Sequence, residues 1–485
     1  MSDNNSISNF LWKFFERFSA QLVHFVITIV LARLLSPSDY GIIALVSIFT
    51  TISNTFIDSG MGVALVQKKN VDVLDYSSLF FFNILLGIIF YIFIFIFSSH
   101  LIHFINKDFD ENVVLILKIL GVKLIIYGLK NIQNAYIIKN ILYKKYFYSN
   151  LIASVLSGIF AIFLAYQGKG VWALVIQSLL YDIISTIILF FVTKLQLKLS
   201  FSLNRIKELW NFGWKIFISK LIDKGYIELR VILIGKYYTS EDLAYYSKGA
   251  RLPSLFIDNI NNSIDGVVFP MMCKAQEDFK QIRELTRRAI IVSSYVIMPL
   301  MMGLVIIATP LIKILLTEKW LPCVFYLRVA CITWTFHSIN TANLNAIKAM
   351  GRSDYFLCLE VIKKIIGLIL IITTIGISVK ALALSSIILS VFSQIINSWP
   401  NRKFLNYKYE QQLIDIMPQF LLSLIMGGGI WFIQYMHINC YLIILFQIIL
   451  GITIYIGLSY SFKVSGLSIL INMLQRYKLN LKNNL

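Results

Sequence analysis

Long apolar stretches separated by short polar breaks run the length of the chain. In the first, 10–35, the polar exceptions Arg17, Gln21, His24 and Thr28 fall at i, i+4, i+7 and i+11, which is one face of a helix. Ser36-Pro37-Ser38-Asp39 then reads as a helix start, with a serine cap, proline at the first helical position and an acid placed to reach back to the cap. A shift of about 203 residues brings the same plan back. Lys220 stands at the place of Arg17, Lys224 at Gln21, Lys236 at Arg33, and Thr239-Ser240-Glu241-Asp242 at the capping turn, now without its proline.

Two further matches support an internal repeat. Ile138-Lys139 and Tyr146-Phe147 correspond to Ile347-Lys348 and Tyr355-Phe356, and Gly168, Val171, Ala173 and Leu174 correspond to Gly376, Val379, Ala381 and Leu382, at offsets of about 209 and 208. Together the apolar runs predict an all-α polytopic membrane protein with about fourteen transmembrane helices. An N-terminal six-helix lobe occupies 1–193, with spans near 10–35, 38–60, 77–98, 113–138, 146–166 and 171–193. A basic amphipathic linker helix on the cytoplasmic surface follows at 194–209. A C-terminal six-helix lobe occupies 210–400, with spans near 211–236, 240–270, 288–316, 322–348, 355–376 and 379–399. An extra pair near 414–436 and 441–462, with a basic cytoplasmic tail, completes 401–485. Six spans per repeat is an even number, so the lobes enter from the same side as a parallel repeat, with a site expected between them.

Composition agrees. Of 485 residues 58% are hydrophobic and only 14% charged, where a soluble domain carries about a quarter charged. The net charge of +19 would suggest nucleic acid in a soluble protein, but loop charge explains it here and no nucleic-acid partner is expected. With the N-terminus inside, roughly 23 Lys and Arg fall in cytoplasmic segments against roughly 7 outside, so both termini are predicted cytoplasmic. The first apolar run is too long for a signal peptide and carries Arg17, so it is expected to stay in the protein. Five scattered cysteines contain no CxxC pair, and the lone pair His100 and His103 has no third ligand in reach, so neither a disulfide framework nor a metal site is expected.

The charges inside the spans carry the candidate chemistry, because an ionised residue at mid-bilayer costs about 2.5–3.5 kcal/mol and needs a partner or a wet cavity. Lys123 and Lys130 share a face in 113–138; Lys220, Asp223, Lys224, Glu228 and Arg230 cluster in 211–236; Arg251, Asp258, Asn262 and Asp265 line one face of 240–270. Arg328, Glu360, Lys363 and Lys364 add more. Interhelical salt bridges that only hold the bundle together are one reading of them. The other is a hydrated cavity between the lobes with a cationic surplus. On that reading Arg17, Gln21, His24, Lys123, Lys130, Lys220, Lys224 and Arg251 are substrate-binding candidates. Asp58, Asp223, Glu228, Asp258 and Asp265 are candidates for balancing charge or binding a coupling ion. Pro253, Pro270, Pro299, Gly303 and Pro310 mark places where helices bend. No catalytic residues are expected: there is no nucleotide-binding GxxxxGK[ST] loop, no HExxH and no nucleophile elbow. No cofactor is expected either, though the acids leave a coupling cation, H⁺ or Na⁺, open.

The turn Ala32-Arg33-Leu34-Leu35-Ser36-Pro37-Ser38-Asp39-Tyr40-Gly41, the later Ala349-Met350-Gly351-Arg352-Ser353-Asp354 and the fourteen-span layout resemble the Wzx-type polysaccharide and lipopolysaccharide flippases of the multidrug/oligosaccharidyl-lipid/polysaccharide exporter superfamily. That resemblance implies a V-shaped exporter-like fold in the bacterial cytoplasmic membrane. It also implies alternating-access translocation of lipid-linked oligosaccharide, typically on undecaprenyl pyrophosphate, for O-antigen, capsule or exopolysaccharide assembly. Membrane lipids, a polysaccharide polymerase and chain-length machinery are the partners that would accompany it. A cation-coupled multidrug exporter of the same superfamily is the first alternative, and a membrane-embedded polysaccharide polymerase or ligase the second. The cationic surplus and the extra helix pair argue against the former, and the short outer loops against the latter.

Overall fold

The structure, a computed structural model, describes residues 23, 25–105, 110–140, 142–436 and 439–471, without the side chains of 262–267 and 353. Every regular element among the described residues is helical. The chain divides into two compact units, Met1–Ala244 and Tyr245–Leu485.

In the first unit α1 (Phe25–Leu34) leads into α2 (Pro37–Asp58), α3 (Met61–Gln67), α4 (Val73–Ile105), α5 (Glu111–Gly121), α6 (Lys123–Lys139), α7 (Tyr143–Tyr166), α8 (Val171–Thr193) and α9 (Leu203–Tyr237). Helix α10 (Ser240–Lys274) starts at its end. In the second unit follow α11 (Phe279–Leu316), α12 (Cys323–Thr335), α13 (His337–Ala349), α14 (Ser353–Ile375), α15 (Val379–Leu405), α16 (Tyr409–Trp431) and α17 (Cys440–Ser461). Among the described residues, nine helical stretches are long and apolar enough to cross a membrane. α9, α10 and α14 are not among them, because each holds several charges that a hydropathy window counts against it. The protein is therefore an all-α, multi-pass membrane protein, while hydropathy alone does not reach the expected count of fourteen.

The repeat is visible in capping detail. At α2 the Ser36 backbone N–H donates to Asp39 Oδ2 (2.9 Å) and the Asp39 N–H donates back to Ser36 Oγ (3.2 Å). At α10 the Thr239 hydroxyl donates to Asp242 Oδ2 (2.8 Å) and the Asp242 N–H donates to Thr239 Oγ1 (3.1 Å). Each box satisfies amides that the first turn leaves orphaned, and so fixes where the helix begins. The two starts touch: a Cβ on Gly41 would lie 1.8 Å from the Ser240 carbonyl oxygen. Both repeats also break the same span, α5/α6 at Val122 and α12/α13 at Phe336, where the sequence predicts the unbroken helices 113–138 and 322–348.

A second break, between α2 and α3, runs through Ser59 (φ 48°) and Gly60 (φ 68°). It is the price of a close crossing with α9, since a Cβ on Gly60 would stand 2.2 Å from the Gly213 carbonyl oxygen.

The linker differs from the helix expected over 194–209. Residues 194–202 are not helical: Lys194 takes a left-handed backbone (φ 49°) and the Ser200 N–H turns back to the Lys198 carbonyl (2.7 Å); α9 begins only at Leu203, then runs unbroken into the apolar segment. The stretch 194–203 alternates polar and apolar residues, which is strand periodicity, so its pattern opposes a helix. A charge clamp holds it to the start of α4. Asp72 and Asp75 cap that helix reciprocally (Asp75 N–H to Asp72 Oδ1 2.8 Å, Asp72 N–H to Asp75 Oδ2 3.1 Å). Lys68 Nζ lies 2.9 Å from the buried Asp75 and 3.0 Å from Glu208, and Arg205 donates to Asp72 at 2.9 Å. The backbone N–H groups of Lys198 and Ser202 donate to the hydroxyls of Ser77 and Ser78, and Ile206 and Leu209 pack into the α3–α4–α6 core. Lys139 Nζ donates to the carbonyls of Leu65, Val66 and Lys68, closing the C-terminal end of α3.

In the second unit the C-terminal pair is tied in by Arg287, which forks onto Asp415 (2.9 and 2.7 Å), an acid that also accepts from the Tyr407 hydroxyl (2.6 Å). Beneath it Asn343, Asn401 and Gln412 form a buried amide cluster across α13, α15 and α16. Arg328 donates to the Val305 carbonyl (3.2 Å) and Thr309 Oγ1 (3.1 Å) in the turn ahead of Pro310, so this charge is held by α11.

Two outcomes are expected from this packing. Gly60→Ala should destabilise the protein by about 2 kcal/mol through overpacking against α9, whereas Gly168→Ala, whose Cβ would meet nothing within 4 Å, should cost only the left-handed backbone penalty of about 1 kcal/mol; thermal midpoints in detergent compare them. The clamp is also pH-dependent. The bond from the Asp75 N–H holds the Asp72 carboxyl below its ordinary 3.8, and the Lys68 bond holds Glu208 below 4.5. For Lys68, burial lowers the ammonium but the bonds to Asp75 and Glu208 outweigh it, leaving it above 10.5. A depressed acid contributes stability above its unfolded value and loses it as pH falls through the folded one. The thermal deficit of Glu208→Gln against wild type should therefore be present at neutral pH and close below pH 4.5. That of Lys68→Met should close above pH 10.5.

Candidate functional site

Inside the first unit, α6 and α8 bring three charges together within apolar helices. Lys123 and Lys130 are seven residues apart on one face of α6, and both turn to α8. Lys123 Nζ lies 3.1 Å from Asp182 Oδ2 and donates to Ser178 Oγ. Lys130 Nζ lies 3.9 Å from Asp182 Oδ1 and 5.1 Å from the centre of the Tyr181 ring. Lys130 is buried at 8% exposure, so its charge depends on that carboxylate and ring. Tyr181 and Ser185 extend the network, both donating to Asn150 Oδ1 on α7 (3.2 and 3.0 Å). Among the described residues, two ammonium groups here meet one carboxylate, which leaves one positive charge over.

A neighbouring pair, Asp58 at the end of α2 and Lys220 on α9, is in direct contact. Tyr127 on α6 lies within electrostatic range of both Asp58 and Asp182. Gly62 borders Asp58 and Asn131: a Cβ there would make ordinary contact with Asp58 Oδ1 at 3.4 Å and Asn131 Oδ1 at 3.9 Å. Buried side-chain atoms of Asn54, Asn83, Asn131, Gln133, Asn134 and Thr186 lack a protein partner among the described residues, as expected of an interior that takes up water or a polar ligand.

The structure thus brings Lys123 and Lys130 together, and Lys220 with Asp58. Lys224 and Glu228 lie within charge range of each other on α9, as do Arg251 and Asp258 on α10, and Asp223 is also engaged by a neighbour. Arg17, Gln21 and His24 lie outside the described residues, as does the side chain of Asp265. Glu360 and Lys363 bond each other at 2.6 Å. Reading the sequence missed Asp182, the residue on which the cluster turns. Its signal was there: it is the one charged residue in the span 171–193, and a lone acid at that depth requires a cation from another helix.

The fold is similar to that of the solved lipid II flippase MurJ in an inward closed conformation, with a TM-score of 0.77, 17% identity, and coverage of 93% of this chain and 98% of that one. At that identity the likeness is one of fold. Among curated proteins the chain is 24% identical over 385 residues to the teichuronic acid biosynthesis protein TuaB of Bacillus subtilis, covering 78% of each chain. It is 20% identical over 410 residues to the lipopolysaccharide biosynthesis protein WzxC of Escherichia coli, covering 81% of this chain and 80% of that one. Residues 30–325, more than half of the sequence, match the family model described as polysaccharide biosynthesis protein. With that match spanning the capping turn, the α6–α8 charge cluster and the clamp, the chain belongs to the polysaccharide biosynthesis protein family.

Proposed function

We propose that this protein flips lipid-linked oligosaccharide units across the cytoplasmic membrane by alternating access, both termini lying in the cytoplasm. Its first unit engages the phosphates of the carrier. The observation that carries the reading is the pair Lys123 and Lys130 sharing the single carboxylate of Asp182. A residual positive charge in a low-dielectric interior attracts an anion far more strongly than the same charge in water, and a carrier phosphate is the anion common to lipid-linked glycans. Lys220, tethered to Asp58, supplies a second cation that an arriving phosphate can draw away from its partner. Membership of a polysaccharide biosynthesis family and a flippase-like fold support the same reading. Acids such as Asp58, Glu228 and Asp258 are then available for coupling to H⁺ or Na⁺, and the product on the outer face would pass to a polymerase with its chain-length partner.

The structural and functional roles of the cluster separate by mutation. Asp182→Asn strands two ammonium groups in the interior and should destabilise the protein by about 3 kcal/mol. Lys130→Met leaves the Lys123–Asp182 pair in place, so it should keep near-wild-type thermal stability while slowing flipping by about tenfold. The decisive measurement follows lipid-linked oligosaccharide with an impermeant probe on right-side-out and inverted vesicles from cells lacking the gene. Complete units should accumulate on the cytoplasmic face, relieved by wild type and not by Lys123→Ala together with Lys130→Met. Single repeat units collecting on the outer face would instead establish a polymerase or ligase. Flipping that collapses on changing only the Na⁺ gradient, or only the pH gradient, would identify the coupling ion.

A further inference from the structure

We infer that the non-helical segment 194–202 and the first turns of α9 form a docking surface for the anionic phospholipids of the adjacent leaflet. The clamp leaves this segment no freedom to turn over. Its inward groups are committed: the Lys198 and Ser202 amides to α4 hydroxyls, Arg205 to Asp72, Ile206 and Leu209 to the core. What faces outward is apolar and basic at once. Leu199 is 98% exposed, Leu203 63% and Phe201 48%, with Trp210, Phe212 and Trp214 exposed beyond them. Among them stand the exposed lysines Lys194, Lys198, Lys207 and Lys215, and the one acid of the stretch, Glu208, is already bonded to Lys68.

Level and charge together select the occupant. The clamp of Lys68, Asp72, Asp75, Arg205 and Glu208 joins five ionised groups, which marks the edge of the hydrocarbon. Lys145 at the same end closes the last turn of α8 through the Val192 carbonyl. Apolar tips at that level enter the acyl boundary, while lysines beside them sit among headgroups, the arrangement of an interfacial anchor. Four lysines with no unpaired acid favour an anionic headgroup over a zwitterionic one, each lysine contributing about fivefold in binding at low salt. The acids beside these tips, Asp72 and Glu208, are held by Arg205 and Lys68, so the charges left to meet an occupant are the four lysines, which an anionic headgroup matches.

The test places the full chain in nanodiscs of phosphatidylcholine alone or mixed with phosphatidylglycerol and follows hydrogen exchange of the peptide amides over 195–214. In wild type, protection should rise with the phosphatidylglycerol fraction and fall back when salt is raised. The variant carrying Lys194→Gln, Lys198→Gln, Lys207→Gln and Lys215→Gln should stay at its phosphatidylcholine level up to an equal mixture. The corresponding four Lys→Arg changes should restore the response, which separates loss of charge from loss of fold. Equal protection in both lipids for wild type, or a rise that the Gln variant keeps, overturns the inference. So does protection that appears only when a soluble extract is added, because the occupant is then a protein. None of these lysines belongs to the α6–α8 cluster, so the outcome is independent of the flipping assay.

Discussion

Hydrocarbon supplies neither hydrogen-bond donors nor counter-ions, and a chain that lives in it must satisfy every backbone amide and every charge from within itself. The helices follow from the first half of that demand and the unusual contacts from the second. Where α2 and α10 begin, a side-chain box closes the first turn. Where α3 ends, the Lys139 ammonium takes three carbonyls. On α11, ahead of Pro310, the Val305 carbonyl and the Thr309 hydroxyl hold Arg328. These charged side chains act as parts of the backbone's own hydrogen-bond accounting, and a reading that treats each intramembrane charge as a ligand site overcounts sites.

Much of the fold was legible because the demand leaves long apolar runs as its trace. The start of α8 at Val171 and of α15 at Val379 reproduces the offset of 208 seen in the sequence, and the paired capping boxes reproduce the offset of 203. The breaks at Val122 and Phe336 were harder to read, since neither carries a proline; their signals are the weaker ones of Gly121 and Lys123 flanking the first and the polar His337-Ser338 following the second. The run 194–202 is amphipathic, which suggests a helix, but its polar and apolar residues alternate with a period of two, which does not fit one, and the structure leaves it non-helical. A helix face and a strand face are both one-sided, and only spacing separates them.

The site was half legible for a related reason. Helical spacing places Lys123 and Lys130 on one face with no structure in hand, but spacing along one helix is silent about what another helix offers. Asp182 and Ser178 come from α8, some fifty residues further on, and their pairing with α6 is a tertiary fact. The same holds for Asp58 and Lys220, which the sequence placed on opposite sides of a charge balance and the fold joins directly.

The two-to-one ratio at Asp182 has a physical logic on the proposed reading. Two lysines with two carboxylates would insert comfortably, yet would present a neutral face with no pull on a phosphate. Two lysines with no carboxylate would attract an anion strongly, but an apolar interior would drive them to deprotonate or the helix to leave the membrane. One carboxylate, 3.1 Å from Lys123 and 3.9 Å from Lys130, neutralises enough charge for the helices to pack. It also leaves the more loosely held ammonium, the one nine-tenths buried against Tyr181, as the group with capacity to spare. The longer of the two distances is then the informative one, because a cation that its resident partner satisfies fully has nothing left to offer a passing anion.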